Sequence, residues 1–454
     1  MNEDILSKYN YAVPRYTSYP PANHFSSYNE EAYKEAILRS NTLPERNLSF
    51  YFHIPYCRHL CHYCGCNSYA MPDKEWIDKY VATLHKEIDL LLPLLDRDKR
   101  ISQIHYGGGS PTALPYTVLK ELNEHLLSHF STIDRPEIAI ECHPAYLTEQ
   151  DWEGLTESYF NRFSIGVQDL NPVVLKAVNR RPSALPLEQI FSLLRTKGAS
   201  INVDLLYGLP YQTVESFLNT VERIVALRPD RLVTFAYAHV PWVNKQQLVL
   251  EKIGLPTGAE RNKIFHTAKE RLQVAGYMPI GMDHFVTPED ELYLALQNNQ
   301  LHRNFQGYCT KRTTAQVYAL GVTGISQLQD AYIQHTKDIA TYIESVEAGL
   351  FGVAKGYELN LQEQCMREIV ESLMCNYRLH WTELSAKLGI SVNALKKNTA
   401  YREEVLNGFV QDGLLVYDEE QLQVMPAGYA FVRNIVASLD PLMIGNTHAF
   451  SKPV

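Results

Sequence analysis

The chain has 454 residues, 45% hydrophobic and 20% charged, enough apolar mass for a large core that divides into a main domain and smaller ones. A formal net charge of −9 gives no general attraction to polyanions, so nucleic acid is not an expected partner, while a local basic pocket for a small anion stays open. No apolar run approaches the roughly 20 residues that span a bilayer, so no membrane partner is expected.

The N-terminus begins Met-Asn-Glu-Asp, without the basic start and apolar core of a secretory signal, and a cytoplasmic protein is expected. Residues 9–25 are rich in Tyr and Pro with one Arg, show little periodicity, and read as an arm or lid. From about 45 to 240, short apolar runs alternate with amphipathic stretches, the rhythm of β-α units around a parallel sheet. The predicted strands are 48–54, 102–106, 137–142, 162–167, 200–206 and 231–237, with helical periodicity between them at 76–92, 117–130 and 214–227. Six units predict an α/β fold, an open or partial (β/α)6 barrel rather than a closed one of eight.

Such folds bind ligands at the carboxyl ends of their strands. The cysteine cluster Cys57 to Cys66 follows the first strand and Gly107-Gly108-Gly109 the second. Glu141 ends the third, Gln168 follows the fourth, Asp204 lies in the fifth and Ala238 follows the sixth. Beyond residue 250 the rhythm is lost and helices are expected to dominate. The run from Leu384 to Leu395 reads as helix-turn-helix-like, and 413–417 with 421–425 as a hairpin, together a winged-helix-like segment in a mostly helical C-terminal domain. The expected division is an arm at 1–44, the barrel core at 45–245, a barrel extension and connecting segment at 246–360, and the helical domain at 361–454.

Four of the eight cysteines fall in the run Cys57 to Cys66, and in a reducing compartment such a cluster argues for metal rather than disulfides. Cys142, Cys309, Cys365 and Cys375 are scattered and read as small buried apolar residues. Their clustered counterparts are spaced C-x3-C-x2-C-x-C. Three thiolates in one loop can wrap one face of an iron-sulfur cubane and leave its fourth iron open to a ligand. A structural zinc site, completed by His59 or His62, is the weaker alternative, because no second C-x2-C pair exists. The run Gly107-Gly-Gly-Ser-Pro-Thr112 permits close backbone approach but matches neither a Walker loop nor a dinucleotide fingerprint.

The C-x3-C-x2-C loop behind an apolar strand, with aromatic Tyr63 before its last cysteine, resembles the radical S-adenosylmethionine (SAM) superfamily. That resemblance implies a 4Fe-4S cluster on Cys57, Cys61 and Cys64, and SAM chelated on the open iron and cleaved reductively to a 5'-deoxyadenosyl radical. Nearly the whole chain is further similar to the bacterial oxygen-independent coproporphyrinogen III oxidases, also called coproporphyrinogen dehydrogenases. The similarity rests on Arg15-Tyr-Thr-Ser-Tyr-Pro20, Tyr51-Phe-His-Ile-Pro55, the cysteine and glycine loops and Ser164-Ile-Gly-Val-Gln-Asp169. It continues in Val203-Asp-Leu-Leu-Tyr-Gly-Leu-Pro210, Gly281-Met-Asp-His-Phe285, His302-Arg-Asn-Phe-Gln-Gly-Tyr308 and Cys375-Asn-Tyr-Arg-Leu379.

What the resemblance implies is oxidative decarboxylation of two propionates of coproporphyrinogen III to vinyl groups, with two SAM consumed. Tyr51, Gly108, Glu141 and Ile325 would contact the SAM on the cluster; Tyr63, Gly109, Ser110, Gln168, Arg180, Asp204 and Ala238 would contact the second. Cys66 and Tyr63 would serve catalysis, and Arg15 on the arm would meet a substrate propionate. The implied partners are the porphyrinogen and an electron donor such as a flavodoxin or ferredoxin, for a monomer.

One departure stands beside the site. The family follows the third-strand glutamate with Asp-Pro-Arg, whereas this chain reads Glu141-Cys142-His143-Pro144-Ala145, and His143 adds a group expected to titrate near neutrality. A haem chaperone or a porphyrin-modifying methyltransferase of the same superfamily is the alternative, disfavoured by Cys66 and the Tyr16 to Tyr19 segment. A cluster-sensing DNA-binding regulator is more remote, since 378–436 holds six Lys or Arg against seven Asp or Glu.

Overall fold

The structure, a computed structural model, describes residues 3–242, 244–314, 316–446 and 450. All six predicted strands form: β1 Asn47–Ile54, β2 Arg100–Gly108, β3 Thr132–Cys142, β4 Arg162–Gln168, β5 Ser200–Tyr207 and β6 Arg231–Ala236. They lie side by side in sequence order, each pair parallel. A strand not predicted, β7 Gln316–Leu320, pairs in parallel with β1 on its free side. The strand order has two ends, so the barrel stays partial.

The side-chain period of 2 sorts each strand into two faces. On β1, Leu48, Phe50, Phe52 and Ile54 are fully buried and pack outward under the helices. Each such burial contributes roughly 1.5–3 kcal/mol. Ser49, Tyr51 and His53 alternate with them and point to the other face. Register carries that polar face across the sheet, because Tyr51 lies opposite His105 and Glu141 opposite Ser164. Ser164 in turn lies opposite Asn202, and Gly166 opposite Asp204. Polar residues at every second position of buried strands are therefore the inner lining of the barrel.

The outer helices begin where a side chain takes over an orphan amide. Asp73 accepts from the Trp76 N–H at 2.9 Å to start Lys74–Leu91, and Thr213 closes a capping box with Ser216 to start Val214–Leu227.

The expectation that helices dominate beyond residue 250 fails between 278 and 358. Besides β7, that stretch supplies Ile325–Gln327, Ala331–His335 and Val353–Glu358, which extend the sheet antiparallel beyond β7. His284–Val286 and Met278–Ile280 extend it beyond β6. Leu301–Asn304 and Gly307–Thr310 form a separate hairpin. These strands are only 3 to 6 residues long, too short for a period of 2 to separate from local noise.

The C-terminal part is mostly helical, and its winged-helix-like segment forms as expected. Helices Trp381–Leu388, Val392–Lys397 and Glu403–Gln411 precede the hairpin of Leu415–Tyr417 and Gln421–Val424, with Arg378–His380 as third strand. It has its own core around Trp381, Leu373 and Phe431, and that core includes Tyr9, Val13, Tyr16 and Tyr19 of the arm.

Candidate active site

At the carboxyl ends of β1 to β6 the inner face meets the cysteine loop. A two-residue bridge, Tyr56–Cys57 with Tyr69–Ala70, draws the loop ends together. The loop is held further along by hydrogen bonds from Asn179 Nδ2 to Leu60 O (2.8 Å), Asn244 Nδ2 to Cys64 O (2.6 Å) and Gln247 Nε2 to Tyr63 O (3.0 Å). Cys61 is buried, Cys57 and Cys64 are half-buried, and Cys66 is exposed. Burial pushes the Cys57 thiol up to about 12, and the neighbouring Cys64 and Cys61 push the same way. A buried thiol raised in this way suits a site where bound iron supplies the missing positive charge, whereas a hydrogen bond with Cys66 brings Cys64 down to about 6.

The glycine turn fits the same reading. A Cβ on Gly109 would lie 2.7 Å from the Pro55 carbonyl oxygen and 3.1 Å from the Cys57 sulfur. Gly108 has φ +118°, and a Cβ there would meet the His53 ring at 2.8 Å. Only glycine lets the end of β2 run this close beneath the cysteines. Among the described residues, no group of three His, Cys, Asp or Glu side chains is arranged to share a single ion. A 4Fe-4S cubane takes one thiolate on each iron, so its ligands do not converge on a single point.

A cleft of about 350 Å³ opens beside the loop. Tyr51, Gly108, Glu141 and Ile325, the residues implied for the cluster-bound SAM, all line it, as does Cys66. His53 Nε2 lies 3.0 Å from the Asn67 carbonyl and so donates, which leaves Nδ1 to accept from the Tyr51 hydroxyl at 3.2 Å. Burial drives the His53 imidazole down to about 4 and keeps it neutral. The Tyr51 ring stacks on His105, whose Nε2 is 3.4 Å from Glu141 Oε1, and the Glu141 side chain is 45% exposed and open to a ligand.

The residues implied for the second SAM gather elsewhere, and none lines that cleft. Arg180 joins them: its guanidinium donates to the Tyr63 hydroxyl (2.9 Å), to the Gly166 carbonyl and to the Cys61 sulfur (3.6 Å). Gln168 ends β4 at φ +69°, a left-handed conformation unusual for a residue with a side chain, and its amide nitrogen and the Arg180 guanidinium both border Gly166. Asp204, opposite Gly166, accepts from Ser164 Oγ and Asn202 Nδ2, each at 2.9 Å, and burial raises its carboxyl to about 6. Gln247 Nε2 bridges the Tyr63 and Ala238 carbonyls. Ser110 is buried with its hydroxyl 3.4 Å from that of Thr112.

His143 departs from the expectation of a neutral-range titration. Its ring accepts from the Ala145 N–H at 3.3 Å, and burial, with Arg180 nearby, drives it down to about 3. It is a neutral imidazole at physiological pH. Arg15 is exposed, and its carbonyl accepts from Arg303 at 2.6 Å.

The far wall of the cleft was not singled out residue by residue in the sequence. Asn304, Phe305 and Gln306 come from the hairpin, and Thr323, Gln327, Gln334 and Lys337 from the antiparallel extension. These positions carry no metal-ligand spacing or periodicity, and only those between His302 and Tyr308 lie in a run on which the resemblance rests.

Comparison with known proteins completes the picture. Residues 51–224 match the model of the radical SAM superfamily. The chain is 37% identical over 441 residues to the oxygen-independent coproporphyrinogen III oxidase of Escherichia coli, covering 96% of this chain and 94% of that one. It is 34% identical over 440 residues to the protein of the same name from Synechocystis, with the same coverage. A solved structure of coproporphyrinogen III oxidase from Escherichia coli, described as a radical SAM enzyme, superposes with a TM-score of 0.88 at 35% identity over 97% of this chain and 98% of the other.

Proposed function

Because the chain belongs to the oxygen-independent coproporphyrinogen III oxidases, radical SAM enzymes, we infer that it converts two propionates of coproporphyrinogen III to vinyl groups, giving protoporphyrinogen IX and carbon dioxide in haem synthesis. The observation that carries this reading is the cleft in which Tyr51, Gly108, Glu141, Ile325 and Cys66 converge beside the cysteine loop. A 4Fe-4S cluster and SAM, when bound, supply the radical that removes an unactivated propionate hydrogen, which no side-chain base can take as a proton.

The protein's share is placement. Cys57, Cys61 and Cys64 hold the cluster, and the glycine turn keeps the backbone out of its way. Glu141 and Tyr51 offer polar atoms to the SAM on the cluster. Tyr63, Gly109, Ser110, Gln168, Arg180, Asp204 and Ala238 hold a second SAM, with the Arg180 cation and the Asp204 carboxyl as complementary charges. Cys66, exposed toward the cleft and outside the ligand set, is placed to exchange a proton with the substrate, and the Tyr63 hydroxyl is oriented by Arg180. Coproporphyrinogen III is the substrate; a flavodoxin or ferredoxin supplies electrons to a cytoplasmic monomer. No helix among the described residues is long and apolar enough to cross a membrane.

The test is anaerobic incubation of the reconstituted protein with coproporphyrinogen III, SAM and a strong reductant. Each protoporphyrinogen IX is expected to appear with two methionine and two 5'-deoxyadenosine after correction for uncoupled cleavage. Abundant 5'-deoxyadenosine with unaltered porphyrinogen would place the function elsewhere in the superfamily.

A further inference from the structure

The two walls of the cleft differ in chemistry. One presents Tyr51, Gly108, Glu141 and Cys66; the other presents Asn304, Phe305, Gln306 and Lys337. Lys337 is the only Lys or Arg among the residues that line the cleft, and the one histidine there, His53, is buried and neutral. Its ammonium makes no hydrogen bond and no ion pair among the described residues, although Lys79 and Lys86 on the neighbouring helix are engaged with Glu347. The backbone of Lys337 is fixed from the cysteine loop: its carbonyl accepts from the Tyr69 hydroxyl at 2.7 Å and from Asn67 Nδ2 at 3.3 Å. Asn67 also accepts from His53 at the floor of the cleft. A cation with an anchored main chain and a free head thus stands at a set place relative to the loop that carries the cluster ligands.

We propose that Lys337 binds a propionate carboxylate of the porphyrinogen substrate and sets which propionate faces the cluster side of the cleft. The proposal rests on the function inferred above and deepens it. The substrate is a tetra-anion, and the protein as a whole is negative, so the solitary ammonium of the exposed Lys337 at the edge of the cleft is where the long-range repulsion turns into local attraction. The ammonium is a point charge with three donors on a flexible stem, suited to follow a carboxylate on a macrocycle that turns between two successive decarboxylations. Phe305 on the same wall offers a flat apolar face to a pyrrole ring, and the Asn304 and Gln306 amides, hydrogen-bonded to each other, add neutral polar contacts.

The experiment compares wild type, Lys337→Met and Lys337→Arg, each reconstituted anaerobically. Iron per chain checks the fold. The expected result for Lys337→Met is a KM for coproporphyrinogen III about tenfold higher, with a smaller change in kcat, since one charge-assisted hydrogen bond is lost. Lys337→Arg is expected to recover most of the loss. A second readout is independent of turnover: coproporphyrin III, the aromatic form with the same four carboxylates, should quench on binding with an affinity that falls with ionic strength in wild type and less steeply in Lys337→Met. Turnover by wild type together with an unchanged KM and unchanged porphyrin affinity in Lys337→Met overturns the proposal alone. A wild type that leaves coproporphyrinogen III unaltered overturns the inferred function, and this proposal with it.

Discussion

Cys66 lies two residues beyond Cys64 and is hydrogen-bonded to it, yet it is exposed and lines the cleft. Cys57, Cys61 and Cys64 are at least half-buried, and Cys57 feels the charge of the other two. A fourth thiolate on the cluster would occupy the iron that SAM must reach. Changing any of the first three to Ala is therefore expected to abolish the brown absorbance and the bound iron after anaerobic reconstitution, while Cys66→Ser keeps both and loses porphyrinogen conversion. Full iron in Cys61→Ala would refute the ligand assignment. At the same scale His143 shows how position overrides residue type. A histidine is the side chain nearest to neutrality in water, but desolvation beside a fixed cation removes it from that range.

The helix Lys74–Leu91 does more than cover the sheet. Its Glu87 is fully buried, and Oε2 accepts from the Gly321 N–H (2.8 Å) and from the Tyr342 hydroxyl (2.5 Å). Gly321 opens the turn that carries Thr323 and Ile325 into the cleft. Burial raises the Glu87 carboxyl to about 8 and lowers His335, 3.3 Å away, to about 4, so the pair is neutral at pH 7. A carboxyl whose folded value is raised binds its proton more tightly in the native state than in the unfolded one. Its contribution to stability is full below the unfolded value and is lost as pH rises through about 8. Glu87→Gln keeps an acceptor and cannot ionise. Relative to wild type, it is expected to gain about 2 kcal/mol of stability between pH 6 and pH 8.5, read from denaturant midpoints. A constant difference across that range would show that Glu87 is already ionised in the native protein.

Across the whole molecule, the N-terminal arm and the C-terminal helical part are fastened to each other. The buried Tyr16 and Tyr19 hydroxyls both donate to Asp440, at 2.9 and 2.8 Å. Arg433 Nε donates to the Pro14 carbonyl at 2.9 Å, and Arg303, next to the cleft residue Asn304, holds the carbonyls of Arg15 and Tyr16. The arm therefore joins the C-terminal core to the hairpin that forms the far wall of the cleft. Asp440→Ala removes the acceptor of both tyrosines at a cost of about 1–3 kcal/mol for each buried hydroxyl. Trypsin is expected to cut after the exposed Arg15 faster in that variant, with bound iron unchanged. Equal cleavage rates would mean that the arm is held by its apolar contacts alone.

What the sequence determined by itself was everything that short-range constraints encode. The rhythm of short apolar runs and amphipathic stretches placed six strands, with Glu141 at the end of the third and Asp204 within the fifth, and the cysteine spacing together with the glycine run located the loop at their carboxyl ends. The tertiary structure alone decided which distant segments meet. β7 pairs with β1 across more than 260 residues of chain, and its run Gln316–Leu320 is buried throughout, so no alternation announces it. The far wall of the cleft, with Lys337, comes from short strands whose side chains acquire a common direction only when the sheet assembles. The neutral states of His143 and Glu87 follow the same logic, because desolvation is a property of what surrounds a group in space, and neighbours in sequence do not specify it.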